Sequence, residues 1–213
     1  MTQRAYFFSD ELTLETRVLE CRPLADGKYQ VVLADTLFHP QGGGQLADQG
    51  FIGGVPVQGV RQSEHEIVHI VGQAIAPGAV SIEVAAQPRQ LHARLHSAGH
   101  LIACVGQQAG WQPVKGHHWP GECRVVFERQ PQSQDLDAEC LAQAVNQLIA
   151  ADQPRHLANE QGLRTVAFGS LPMHGCGGTH VVSTGVIGGV RILKMKEKKG
   201  QLSVHYDLVE RAA

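Results

Sequence analysis

PRQLHARLHSAGHLIACV, residues 88–105, is the stretch on which the fold turns. Leu91, Leu95, Ala98, Ile102 and Val105 recur in steps of three and four, which draws one apolar stripe along a helix. Pro88 stands near the start of that helix, where a missing N–H does little harm. Gly110 and Pro113 set its latest possible end. Next to the stripe, not at its centre, His96 and His100 lie four residues apart. That spacing stacks two imidazoles on one side about one turn apart, so they can share a metal ion at the rim of a core. His92 stands at the same spacing from His96, so spacing alone does not choose between the two pairs.

Upstream of this helix the chain reads as strands and turns. Tyr29–Leu33 (YQVVL), Glu66–Val71 (EIVHIV) and Ala79–Val84 (AVSIEV) are rich in β-branched residues. Gly53-Gly54 separates Phe51-Ile52 from Val55–Val57 as a hairpin turn does, and Pro77-Gly78 is a second turn. Residues 1–87 are therefore expected to form a small, barrel-like β domain. Downstream, CRVVFE at residues 123–128 reads as a strand. Residues 135–151 read as a second helix, with Leu136, Cys140, Ala144 and Leu148 on one face. Short strands broken by glycines follow from Thr165 to Val209. Residues 88–213 are expected to form a second domain with helices on a mostly antiparallel sheet, so the fold class is α+β.

A second candidate half-site is Cys176-Gly177-Gly178-Thr179-His180. Thiolate and imidazole are ordinary zinc ligands, and glycines between them let the backbone turn tightly. One pair on a helix and one on a loop can converge as a tetrahedral site with three histidines and one cysteine. Either pair alone is a weak signal, and His117 and His118 remain spare candidates. The other unusual stretch is PQGGGQLADQG, residues 40–50. Its three consecutive glycines can bring N–H groups close to a ligand. It lacks the Gly-Lys-Ser/Thr ending of a Walker loop, and taken alone it reads as a flexible turn between strands.

Composition sets the outer limits. The chain has 213 residues, 43% of them hydrophobic and 18% charged, which is a globular balance. No apolar run is long enough to cross a bilayer and no signal peptide is read at the start, so a cytoplasmic location without membrane association is expected. Five cysteines without close pairing do not form a disulfide framework. A net charge of −2 excludes nucleic-acid binding by bulk charge and leaves room only for a local basic patch.

The three motifs taken in order resemble a known family. HSAGHLI at residues 96–102 and CGGTH at residues 176–180 look like the paired HxxxH and CxxxH motifs of alanyl-tRNA synthetase editing domains. LFHPQGGGQLADQG at residues 37–50 looks like the glycine-rich segment that precedes such a domain. The resemblance runs from about Asp35 to Val209 and is nearest to the free-standing AlaX proteins in their longer form. It implies a zinc-dependent aminoacyl-tRNA deacylase that acts on mischarged tRNA, chiefly Ser-tRNA(Ala) and also Gly-tRNA(Ala). It implies His96, His100, Cys176 and His180 as zinc ligands and leaves His92 outside. It places Gly43, Gly44 and Gln45 at the substrate's amino-acid end. Thr179, inside the second half-site, is a separate candidate for a substrate contact and helper in the reaction, through a hydrogen bond to the seryl hydroxyl or the ribose, or else it orders the loop. The segment Gly200–Tyr206 departs from the family's arginine-bearing pattern. The basic residues lie upstream at Lys194, Lys196, Lys198 and Lys199, either as an RNA contact or as a solvated turn. Two other readings stand beside this one: threonyl-type tRNA editing, and a non-catalytic RNA-binding module with structural zinc.

Overall fold

The structure is a computed structural model and describes residues 2–63, 66–160 and 163–209. It divides into two compact units. The first comprises residues 1–42 and 46–91 and the second comprises residues 43–45 and 92–213.

The first unit holds β1 (Gln3–Arg4), β2 (Thr13–Pro23), β3 (Tyr29–Leu33), β4 (Asp35–Thr36), β5 (Gly50–Ile52), β6 (Val55–Gln62), β7 (Ile67–Val71) and β8 (Gly78–Val84). Six of these strands close a barrel in the order β2-β3-β7-β6-β5-β8, with every pairing antiparallel. Closure gives each of the six strands a hydrogen-bonded neighbour on both sides. Val31, Leu33, Ile52, Val60, Ile67, Val71, Ile82 and Val84 fill the interior. A polar side chain also lies among them. His69 on β7 is fully buried, with Nδ1 3.1 Å from the Val31 carbonyl and Nε2 2.8 Å from Thr36 Oγ1. A carbonyl only accepts, so Nδ1 carries the proton and Nε2 accepts from the threonine hydroxyl. Burial brings the His69 pKa down to about 4 and keeps the ring neutral.

A buried ion pair fixes the approach to the glycine-rich segment. The Asp48 carboxylate accepts the His39 N–H at 2.6 Å and the Arg89 Nε–H at 3.0 Å, and Arg89 also donates to the Leu37 carbonyl. Both side chains are almost fully buried. Sequence reading did not single out either residue, because their 41-residue separation leaves no local pattern.

Helix α1 (Ala86–Gln108) is followed by β9 (Gln112–His117), β10 (Arg124–Glu128), α2 (Ala138–Ala150), β11 (Arg155–Glu160), β12 (Leu163–Phe168), β13 (His174–Gly175), β14 (Val190–Lys198) and β15 (Gln201–Leu208). A four-stranded antiparallel sheet runs β14-β15-β10-β9, and a three-stranded one runs β11-β12-β13. Val125 and Phe127 of β10 and Leu202, Val204 and Tyr206 of β15 alternate inward. They share one core with Leu95, Ala98, Leu101 and Ile102 of α1. The α+β class and the barrel-like β unit are as expected, while some elements differ in detail. Asp137 caps α2 by accepting the Glu139 and Cys140 N–H groups. Its buried stripe is Leu141, Val145 and Ile149, one position on from the expected face, and Cys140 is exposed. The apolar residues of ECLAQAVNQLIA cover both faces, so periodicity did not fix the rotation. Strand β9 (QPVKGH) was not expected. Its proline is tolerated because β9 is an edge strand.

Candidate metal centre

All elements of the site lie in the second unit. Helix α1 carries His96 and His100 on successive turns, and the loop after β13 carries Cys176 and His180. One donor atom from each of the four lies within 4.8 Å of every other. A tetrahedral zinc with bonds of about 2.0–2.3 Å needs ligands on this scale. It is the one such cluster of three or more metal-ligating side chains among the described residues. His92, at the competing spacing, is not part of it.

Each ligand is held by a different device. His96 Nδ1 lies 2.7 Å from Gln45 Oε1, which also accepts the Thr179 N–H at 3.1 Å. Because Oε1 is an acceptor, His96 must donate through Nδ1, and its Nε2 keeps a lone pair 3.4 Å from Cys176 Sγ. This is the arrangement a metal-binding imidazole uses, with the second nitrogen oriented by a hydrogen-bond partner. Gln45 is fully buried, and its amide nitrogen donates to Thr179 Oγ1 at 2.8 Å. Arg164 is buried and donates to the Cys176 and Gly178 carbonyls at 2.8 and 2.9 Å, which clamps the loop. Arg155 donates to the His180 carbonyl at 2.6 Å. Ser97 Oγ accepts the Val181 N–H at 3.1 Å, which ties helix to loop.

Two glycines are there for space. A Cβ on Gly178 would stand 2.1 Å from His96 Cε1 and 2.9 Å from Gln45 Oε1. At Gly44, φ is +76° and a Cβ would meet the Gly116 carbonyl oxygen at 2.4 Å. The Gly44 carbonyl in turn accepts the His118 N–H at 2.8 Å.

The donor set fits a divalent cation on two grounds. His180 is buried, yet neither of its ring nitrogens has a hydrogen-bond partner among the described residues. The Gly178 carbonyl, already engaged by Arg164, adds only a small upward pull on its proton affinity. Buried polar atoms are normally satisfied, so an unpartnered ring that offers a donor atom to three other ligands calls for a partner. The second ground is charge state. Burial drives His180 well below the usual histidine pKa and His100 down to about 4, which leaves both as neutral, metal-binding rings. Burial pushes the Cys176 thiol up, so its thiolate needs a cation beside it.

A cavity of about 310 Å³ opens against His96, His100 and Cys176, with Gly43 and His118 also on its wall. His118 was a spare metal candidate in the sequence but takes another place. Its ring stacks on His96 at 4.3 Å, and its Nδ1 lies 2.6 Å from the Tyr206 hydroxyl. Tyr206 spends its one proton on the Leu95 carbonyl at 2.9 Å, so His118 donates through Nδ1 and keeps a lone pair on Nε2. Burial, with His100 and His117 nearby, brings its pKa down to about 3. Tyr206 and Arg164 carried no sequence signal beyond being polar residues within apolar strands.

The structure brings the segment Gly43–Gln45, Thr179 and the four ligands together. The lysines behave differently. Lys194, Lys196 and Lys198 occupy outward positions on β14, and only Lys199, with φ +53°, sits in the turn.

The chain is similar to several proteins named for alanyl-tRNA editing or ligation. A family described as "Threonyl and Alanyl tRNA synthetase second additional domain" matches residues 163–203, the segment that carries Arg164, Cys176 and His180. The chain is 28% identical to "Alanyl-tRNA editing protein AlaX-M" of Methanosarcina barkeri, over 99% of this chain and 100% of that one. Along nearly its whole length the chain is similar to the free-standing AlaX-M editing proteins. It is also 31% identical to "Alanyl-tRNA editing protein Aarsd1-B" of Xenopus laevis, over 68% of this chain and 38% of the relative. To the "Alanine--tRNA ligase" of Pyrobaculum neutrophilum it is 29% identical over 91% of its length, and it spans only 25% of that ligase. Among the described residues, no helix is long and apolar enough to cross a membrane.

Proposed function

We propose that this chain is a zinc-dependent aminoacyl-tRNA deacylase that removes serine, and also glycine, from mischarged tRNA(Ala). The observation that carries the reading is the orphaned His180 ring in a four-donor cluster whose other three members line a cavity. Relatives named for alanyl-tRNA editing support the substrate class.

His96, His100, Cys176 and His180 would hold the zinc, which supplies Lewis acidity toward the ester carbonyl, water or substrate amine. Gln45 acts through its neighbours: it sets the His96 tautomer and anchors Thr179. Thr179 Oγ1 accepts from Gln45 and retains its own proton, which it can donate to the seryl hydroxyl or the terminal ribose. Gly43 forms cavity wall without a side chain, so backbone can approach the amino-acid end. His118 Nε2 offers a hydrogen-bond acceptor at the cavity for a substrate ammonium or a water. A site that pairs its polar groups with the seryl hydroxyl rejects alanine, because those groups lose a partner when alanine binds.

The test is hydrolysis of Ser-tRNA(Ala) and of correctly charged Ala-tRNA(Ala), with the His96→Ala/His100→Ala variant alongside. Loss of serine only, abolished in the variant, is the expected result. Hydrolysis of Ser-tRNA(Thr) in preference to Ser-tRNA(Ala) would move the assignment to threonyl-type editing. A folded, zinc-loaded protein that hydrolyses neither would leave zinc as a structural ion.

A further inference from the structure

The second unit has an outward sheet face that the four candidate ligands and the groups orienting them do not use. Its residues follow from the strand register. Across β14, β15, β10 and β9 one row reads Lys194, His205, Arg124 and His117. The next row reads Lys196, Ser203, Val126 and Lys115. Strands sit about 4.8 Å apart and alternate residues about 7 Å, so these rows form a closely spaced grid. The inward neighbours Val125, Phe127, Val204 and Tyr206 are core residues, so the grid faces solvent.

The face is far more basic than the chain. It carries Arg191, Lys194, Lys196, Lys198, Arg124 and Lys115 against the two carboxylates Asp207 and Glu128. That is a surplus of four positive charges on one face of a protein whose net charge is −2. Asp207 is engaged by Arg191 at 3.3 Å. Lys194, Lys196, Lys198, Arg124 and Lys115 have no ion-pair partner among the described residues. The Glu122 carboxylate reaches only His117, at 3.4 Å. Burial lowers the proton affinity of His205 at the centre of the row, and the charges of Arg124 and Lys194 lower it further. A groove of about 550 Å³ runs over Lys196, Lys198 and Ser203.

We infer that this face binds the phosphate backbone of the RNA whose aminoacylated end enters the cavity, an inference that rests on the editing reading above. Two features select RNA over other polyanions. The edge strand β9 borders the metal-centre cavity through Pro113, Val114, Lys115 and Gly116, so the grid leads to the place where the terminal ester must sit. The first row ends at His117, whose ring lies 4.9 Å from Trp119, an aromatic surface on which a base can stack. The short lysine run is thereby one column of a surface four strands wide.

The experiment is fluorescence-anisotropy titration of uncharged tRNA(Ala) with the full chain across a salt series. The triple variant Lys194→Gln/Lys196→Gln/Arg124→Gln is compared with Arg17→Gln/Lys28→Gln/Arg61→Gln, which loses the same charge from the barrel. Thermal unfolding midpoints establish that both triples are folded. The expected result is a rise in Kd of at least about tenfold for the face triple, less than about twofold for the control, and a salt slope shallower by about two to three for the face triple alone. Equal weakening by the two triples would reduce the effect to bulk charge and overturn the proposal, as would an unchanged Kd for the face triple. Hydrolysis of a seryl ester of adenosine, which has no phosphates, separates the two ideas in the wild type. If wild type cleaves that ester while the face triple binds tRNA normally, the surface is wrong and the editing reading stands. If wild type cleaves no seryl ester while the face triple loses tRNA, the surface is right and the editing reading falls.

Discussion

His69 in the barrel and His180 at the candidate metal centre are both buried histidines held neutral by desolvation, and there the likeness stops. His69 has a partner on each ring nitrogen, Val31 on one and Thr36 on the other. Among the described residues, His180 has no hydrogen-bond partner within bonding geometry on either. A buried imidazole costs stability unless its nitrogens are satisfied. The barrel meets that cost with its own groups, whereas the second unit leaves it open in a place where three more ligands converge. The contrast separates a histidine that belongs to the fold from one reserved for a ligand.

The largest effect should come from breaking the reserved site. His180→Ala is expected to lower bound zinc to near zero by elemental analysis and Ser-tRNA(Ala) hydrolysis by at least about a hundredfold. His69→Ala should leave zinc stoichiometry unchanged, and a loss of zinc there would erase the distinction between the two histidines. Next in size, Gly178→Ala drives a methyl group into His96 and Gln45. Zinc affinity measured by competition with a chelator should fall about 10–100-fold, with Gln45→Ala giving a loss of the same order because His96 loses its orienting acceptor.

The barrel histidine makes a prediction about pH. Its native pKa is about 4, and an unfolded histidine titrates near 6.5. Above about pH 6.5 neither state binds the proton and the stability is complete. As pH falls from 6.5 toward 4 the unfolded chain takes up a proton that the native ring refuses, so stability drops by roughly 3 kcal/mol. Urea unfolding of wild type and His69→Gln, compared at pH 7 and pH 4.5, should show the smaller decline in the variant. Equal declines would show that His69 does not titrate differently in the two states. The smallest effect concerns His118. Tyr206→Phe removes the acceptor of its Nδ1–H, and Ser-tRNA(Ala) hydrolysis should fall by about three- to tenfold with zinc content unchanged.

Much of the site could be read in the chain because it is written in local spacings. His96 and His100 share a helix face, and Cys176 and His180 share a glycine-bearing loop, so each pair is visible without the fold. The groups that orient them are not. Gln45 lies 51 residues from His96, and Tyr206 lies 88 from His118. Those contacts exist only after strands and helix have packed. The glycine-rich segment was legible as unusual, but not as the source of a residue that sets a tautomer. The lysine run did not show itself as strand, since a bulge in β14 between Ile192 and Lys194 interrupts the alternation that marks one. The barrel was recognisable from its β-branched runs and turns, while β9, with Pro113 and Gly116 in six residues, gave no strand signal.

Gly43–Gln45 belongs with the second unit although the chain on both sides of it belongs to the first. The centre is therefore not a cassette. Transplanting residues 88–213 into another scaffold would carry over all four candidate ligands and leave behind the amide that decides which nitrogen of His96 is free to bind. Such a graft would hold metal with an imidazole free to exchange tautomers, and restoring function would require reinstating a three-residue insert from another part of the sequence.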